Sequence, residues 1–203
     1  MGPMSGHYFD RDPSADDRRR EVRVQVLGRD LSFTTSTGVF SAEHLDHATR
    51  LLLESCDVPA GPVTLLDLGC GWGPVAVMLA LQNPDATVWA VDVNERALEL
   101  TRTNAARHGV TVHVALPHDV PADLAFDEIW SNPPVRIGKQ ALHELLLTWL
   151  PRLGPTGLAR MVVGKNLGAD SLQRWLGEQG WPTRRAASAK GFRVLEAARG
   201  PAS

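Results

Sequence analysis

The chain has 203 residues, 43% of them hydrophobic, enough for one α/β domain of about 150–200 residues with a short extension. No run approaches the roughly 18 uncharged apolar residues of a membrane span, the polar, charged first 20 residues do not read as a secretory leader, and two cysteines, Cys56 and Cys70, do not make a disulfide framework. A reducing cytoplasm is the expected compartment. The net charge of −2 conceals an asymmetry: residues 1–131 carry 10 Lys+Arg against 19 Asp+Glu, and residues 132–203 carry 11 against 4. A basic C-terminal third suits phosphate partners if it forms one face, and suits a scattered arginine surface equally well if it does not.

In chain order, residues 1–20 read as a flexible N-terminal arm and residues 21–203 as a single domain. Val22, Val24 and Val26 alternate with Arg23 and Gln25, and Leu31–Thr34 continues after Gly28-Arg29-Asp30, which predicts a β-hairpin. Ser41 as N-cap and Glu43 in the first turn predict a helix carrying Leu45, Ala48, Leu51 and Leu52 and ending near Asp57. From residue 62 strands and helices alternate: strand 63–68, helix 74–81 with Pro74 in its first turn, strand 86–91, helix 94–108 stopped by Gly109, strand 110–115, strand 126–130, helix 139–150, strand 158–163 and helix 171–177. Two short runs, 183–188 and 192–197, flank Lys190-Gly191. Alternation of this kind predicts a doubly wound, mostly parallel Rossmann-like sheet, with the closing pair antiparallel because only a tight turn joins it.

The first buried strand leads into Asp67-Leu68-Gly69-Cys70-Gly71-Trp72-Gly73-Pro74. The glycines permit a tight turn and close backbone approach, but the spacing is G-x-G-x-G rather than the dinucleotide G-x-G-x-x-G. Asp67 before the loop suits an ammonium better than a pyrophosphate. Asp92, 19 residues after Gly73 at the next strand end, is placed to hold ribose hydroxyls. An amino acid end, a ribose and no phosphate describe S-adenosylmethionine. The expected cofactor set comprises Phe40, Asp67, Gly69, Gly71, Gly73, Asp92, Asn94, Asp119 and Asn132, where Asp119 either accepts from an adenine amino group or is a solvated loop carboxylate.

The strand 126–130 ends in Ser131-Asn132-Pro133-Pro134-Val135-Arg136. A conjugated amino group is a poor nucleophile because its lone pair is delocalised. The Asn132 side-chain oxygen and the Pro133 carbonyl can bind its two N–H groups, favour a more tetrahedral nitrogen and stabilise the positive charge that grows on it. Positioning then replaces a strong base. Asn132, Pro133 and Pro134 are the expected catalytic loop, and Val135, Arg136 and Lys139 the expected substrate contacts.

Together these motifs resemble the small-domain class of bacterial 16S ribosomal RNA guanine-N2 methyltransferases. His7-Tyr8-Phe9 with Pro13 resembles the family's arm, and Phe33-Thr34, Gly38-Val39-Phe40-Ser41 and Leu45-Asp46 its pre-cofactor motif. The resemblance implies that Phe40 and its neighbours close over the cofactor, that the last strand is antiparallel, and that a guanine amino group of ribosomal RNA or the small subunit is the acceptor. Val135 stands where many Asn-Pro-Pro enzymes carry a stacking Phe or Tyr, and Arg136 offers a guanidinium plane instead. The chain lacks the duplicated N-terminal half of longer relatives.

Other residues are read more plainly. His44 and His47, three apart on the predicted helix, lack further ligands at metal spacing, so no metal is expected. Cys70 has no activating base and reads as a small loop residue. Trp175 and Trp181 read as packing residues. Arg184, Arg185, Lys190 and Arg193 on the last hairpin are either phosphate contacts or a solvated face. Two other functions remain open: transfer to a protein glutamine amide, which uses the same Asn-Pro-Pro geometry, and a non-catalytic cofactor-binding RNA module.

Overall fold

The computed structural model describes residues 18–39, 41, 43–134 and 138–200. The expected arm lies almost wholly outside them, as do Phe40, Val135 and Arg136.

Alternating valines make the first strand. β1 (Arg19–Val26) pairs antiparallel with β2 (Arg29–Ser36) around Leu27-Gly28, and Val22, Val24, Val26 and Phe33 are buried. β1 thus begins just inside the segment expected to be arm. α1 (His47–Ser55) follows. Its cap is a correction: Asp46, not Ser41, accepts the Ala48 and Thr49 amides, both at 3.0 Å. Ser41 lies upstream in left-handed backbone (φ 56°). His44 therefore precedes the helix, and only His47 of the two histidines belongs to it.

The remaining elements are β3 (Thr64–Leu68), α2 (Pro74–Gln82), β4 (Thr87–Val91), α3 (Glu95–Arg107), β5 (His113–Ala115), β6 (Phe126–Ser131), α4 (Lys139–Trp149), β7 (Leu153–Gly164), α5 (Ala169–Glu178), β8 (Thr183–Ala189) and β9 (Phe192–Ala198). They match the predicted alternation, with two differences at strand starts. β5 begins three residues late. β7 begins five residues early, because Leu153 pairs with Phe126 before an irregularity resets the register at Leu158↔Glu128.

The seven-stranded sheet runs β5-β4-β3-β6-β7-β9-β8. β9 is antiparallel to both its neighbours, and the pairings from β5 to β7 are parallel. One face is covered by the hairpin, α1, α2 and α3, the other by α4 and α5. Strand residues alternate between the two cores: Leu65 and Trp130 belong to the first, Leu66 and Ile129 to the second.

Two polar clusters cross these layers. Arg160 on β7 makes a bidentate pair with Glu128 on β6, 3.0 Å for each nitrogen, and reaches Glu196 on β9 at 2.6 Å. Its guanidinium lies over the Trp130 ring, whose Nε1 donates to Glu128 at 2.7 Å. The second cluster is centred on Asn104 of α3, which is fully buried. Its Oδ1 accepts from Thr34 N (2.7 Å), and its Nδ2 donates to Thr34 O (2.9 Å) and Trp72 O (2.7 Å). One side chain thereby fastens the hairpin to both α3 and the glycine loop. Phe33 packs edge-on to Trp72 at 5.1 Å between centroids. Replacing Asn104 by Ala removes three hydrogen bonds and strands buried partners, so the unfolding free energy in urea should fall by about 3 kcal/mol, at roughly 1 kcal/mol per bond.

Candidate active site

β3 and β6 are neighbours, yet the chain leaves β3 toward β4 on one side and β6 toward β7 on the other. Loops diverge at such a switch point and leave a crevice at the carboxyl ends of the strands. The glycine loop leaves β3 there, and Asn132-Pro133-Pro134 leaves β6. The register pairs Asp67 with Trp130, so Gly69 and Asn132 each follow two residues later, from neighbouring strands at the same edge. Ser131, unremarked in the sequence reading, locks this edge: its hydroxyl donates to Leu68 O at 2.7 Å.

The glycine loop is fixed from below. Gly69 N and Cys70 N both donate to Val91 O, at 2.8 and 3.1 Å. Gly69 and Gly71 have left-handed backbone, and a Cβ on either would meet nothing within 4 Å, so both border open space. Gly73 differs. A Cβ there would lie 2.9 Å from the Thr101 side chain, and its N–H donates to Cys70 O. Gly73 turns the chain into α2 and lets α3 approach. Cys70 is buried within 3.5 Å of the Thr101 hydroxyl, and burial holds its thiol well above the usual range, consistent with a small, unreactive loop residue.

Two carboxylates serve the loop. Asp67 is buried, with Oδ2 accepting from Ala76 N at 2.9 Å in the first turn of α2. Burial pushes its pKa up to about 7, with a smaller contribution from nearby Asp92. Asp92 accepts from Gly71 N and Asn94 N, each at 2.9 Å, and burial raises its pKa despite these bonds. Val93 beside it is half exposed and offers an apolar surface next to a carboxylate. Asn94 caps α3 through Arg96 N and donates to Gly38 O at 3.2 Å, while Arg96 reaches Thr37 O at 3.0 Å. The amide of Asn94 thus ties the segment before Phe40 to the site. Asp119 ends a short 3-10 turn after β5 and is largely exposed beside His118.

The orientation of Asn132 is set by α1. Its Nδ2 donates to Asp46 Oδ1 and to Thr49 Oγ1, both at 3.1 Å, and the Thr49 hydroxyl donates to Asp46 Oδ2 at 2.6 Å. A carboxylate only accepts hydrogen bonds, so the amide nitrogen must face Asp46 and the amide oxygen must face away. Asp46 and Thr49 are functional residues that the sequence reading assigned no such role. The signal available was Leu45-Asp46, which it noted only as a motif.

Trp175 stacks on His143 with centroids 3.5 Å apart, and Trp181 packs against the core of the α4–α5 face, in line with their reading as packing residues. Arg184 pairs with Glu196, and Arg185 and Arg193 with Asp170, so three of the four basic residues on the last hairpin already face carboxylates.

The model of the methyltransferase small domain matches residues 30–196. The chain belongs to this family. It is 33% identical over 198 residues to the uncharacterized protein YbxB of Bacillus subtilis, covering 96% of this chain and 98% of that one. It is 33% identical over 196 residues to the ribosomal RNA small subunit methyltransferase C of Ectopseudomonas mendocina, covering 92% of this chain but 57% of the relative. The Aeromonas hydrophila enzyme of the same name is 38% identical over 132 residues, 64% of this chain and 38% of its own length. The chain therefore spans about half the length of these ribosomal RNA methyltransferases, or less. Among solved structures, the Thermus thermophilus 16S rRNA N2 G1207 methyltransferase, in complex with AdoMet and guanosine, superposes with a TM-score of 0.75 at 23% identity, over 92% of this chain and 51% of that one. This likeness bears out the Rossmann-like fold.

The residues present fit S-adenosylmethionine, the family's methyl donor. Gly69 and Gly71 leave room on the open side of the loop, and Asp67 and Asp92 bring acidity to it, with no described cation among the causes of either carboxyl's shift. An Asp67 carboxylate that answered the donor's ammonium would lose that attraction on protonation. Affinity for S-adenosylmethionine measured by calorimetry should therefore weaken as pH falls through about 7, by up to tenfold per unit below it, and Asp67→Asn should flatten that dependence. Asp46→Ala should lower kcat on the order of 100-fold by freeing the Asn132 amide, with donor affinity unchanged and a stability loss of about 1 kcal/mol for the missing cap.

Proposed function

We propose that this methyltransferase carries the methyl group of S-adenosylmethionine to a planar exocyclic amino group, guanine N2 of ribosomal RNA. The observation that carries the reading is the Asn132 amide, held by Asp46 and Thr49 with its oxygen outward, at the strand edge from which the glycine loop also leaves. The donor supplies an electrophilic methyl on a sulfonium. Asn132 Oδ1 and the Pro133 carbonyl supply two acceptors for the acceptor's N–H groups. They orient the nitrogen lone pair, draw the group out of conjugation and stabilise the charge that develops on it. The nitrogen becomes acidic once methylated, so its proton passes to solvent without a dedicated base. A base inside a helix is out of reach, so the target is unpaired or flipped. Asp92 holds the ribose end of the donor, Asp67 answers the amino acid end, and Val93 lies beside the adenine. Val135, Arg136 and Lys139 remain the substrate contacts.

Ribosomal RNA is preferred to a glutamine amide on three grounds. A relative named as a ribosomal RNA methyltransferase is 33% identical to this chain over 196 aligned residues, 92% of this chain and 57% of the relative. The Thermus thermophilus 16S rRNA N2 G1207 methyltransferase, solved with AdoMet and guanosine, shares the fold. The Gly38-Val39-Phe40-Ser41 element accompanies the cofactor loop. Wild-type protein incubated with labelled donor and with ribosomal subunits, naked rRNA or release factors should label RNA, and nuclease digestion with mass spectrometry should find N2-methylguanosine. Label confined to protein would overturn the reading. Asn132→Ala should reduce transfer by about 100–1000-fold while donor affinity stays near wild type. Asp92→Ala should mainly weaken donor binding.

A further inference from the structure

Three lysines occur in the chain, against 18 arginines: Lys139, Lys165 and Lys190. The fold gathers all three at the carboxyl edge of the parallel sheet, on the side of Asn132 away from the glycine loop. Lys139 opens α4 directly after the β6 loop. Lys165 follows the end of β7, and its N–H donates to Gly191 O at 2.7 Å. Lys190, in the β8–β9 turn, immediately precedes Gly191. Because β9 runs antiparallel with Gly164↔Phe192 in register, its start lies at this same edge. β6, β7 and β9 are consecutive strands, so the lysines occupy an edge about 10 Å wide at the strand spacing. Lys190 also borders a groove with His47, Arg50 and Glu54 of α1, where Glu54 pairs with Arg50, and His47 adjoins the Asp46 that holds Asn132.

All three lysines are exposed, and among the described residues none is paired with a carboxylate. Of the four acids of residues 132–203, Glu196 and Asp170 face arginines, Glu144 accepts from Gln140 within α4, and Glu178 ends α5. On the β6–β9 half of the carboxyl edge the described carboxylates Asp46 and Asp170 are engaged by other groups, which leaves the three lysines there without an ion-pair partner.

We propose that Lys139, Lys165 and Lys190 form a phosphate-binding row that carries the backbone of an unpaired RNA strand past Asn132. The inference rests on RNA being the substrate. Ammonium groups on flexible stems suit this task because they neutralise phosphate without demanding a base sequence. The paired arginines of the hairpin are excluded from the row.

The test is fluorescence anisotropy of the full chain with a single-stranded rRNA fragment across a KCl series. Each phosphate contact on a single strand contributes about 0.7 to the slope of log K against log salt. The triple Lys→Gln variant should lose about 2 from that slope, and its KM for RNA should rise with donor affinity retained. Arg174→Gln and Arg29→Gln, which remove exposed cations away from this edge, should leave the slope unchanged. A triple variant with the wild-type slope, or an equal loss in the arginine controls, overturns the row while leaving RNA as substrate. A wild-type protein that neither binds nor methylates RNA overturns both, and methylation of a release factor by that same preparation would identify a protein substrate.

Discussion

A side-chain amide has an accepting end and a donating end, and catalysis on an NH2 group needs the accepting end outward. In this protein that choice is made by Asp46. Its carboxylate takes two helix amides, the Thr49 hydroxyl and the Asn132 nitrogen at once, so the group that starts α1 also fixes the rotamer of the reacting loop. The helix cannot shift without disturbing Asn132, and Asn132 cannot turn over without breaking bonds to a charged acceptor, which are stronger than neutral ones. The sheet supplies the other half of the constraint. The bond between Ser131 and Leu68 closes the strand ends at the point where the two loops part.

The N-terminal hairpin belongs to this machinery rather than decorating it. Asn104 joins β2 to Trp72 in the glycine loop, and Asn94 and Arg96 hold Thr37 and Gly38 over the start of α3. The segment that leads to Phe40 is thereby anchored to α3 and, through Asn104, to the glycine loop. Asn94 was expected to touch cofactor. Its amide bonds to protein on both ends, to Gly38 O and from Arg96 N, and so also shapes the wall.

Contiguous chemistry was legible from residues alone. The Asp67–Pro74 loop and Asn132-Pro133-Pro134 each declare themselves within ten positions, and their placement at strand ends follows from the alternation of elements. What escaped notice joins distant residues. Asp46 and Asn132 lie 86 positions apart, and Thr34 and Asn104 lie 70 apart; no local pattern couples them. The cap of α1 was misplaced for a related reason. Ser41 and Asp46 are both good capping types, and the apolar spacing from Leu45 onward fits either start, so only the packing of α1 on β7 and β9 decides. The early start of β7 was hidden by Gly154-Pro155-Thr156-Gly157, which reads as a turn but runs alongside β6 as an irregular extension. Charge along the chain was ambiguous because pairing is a property of space: three hairpin arginines face carboxylates, and Lys190 between them does not.

The position of β9 has a temporal side. It is the seventh strand of its sheet in order of synthesis but the sixth in space, wedged between β7 and β8. Until residues 192–198 leave the ribosome, β7 has a bare hydrogen-bonding edge, β8 has nothing to pair with, and Arg160 lacks its partner Glu196. Open edges of this kind invite association with other chains. The nascent protein therefore depends on prompt delivery of its final strand, and a ribosome stalled short of that stretch would hold an aggregation-prone intermediate rather than a slightly shortened enzyme.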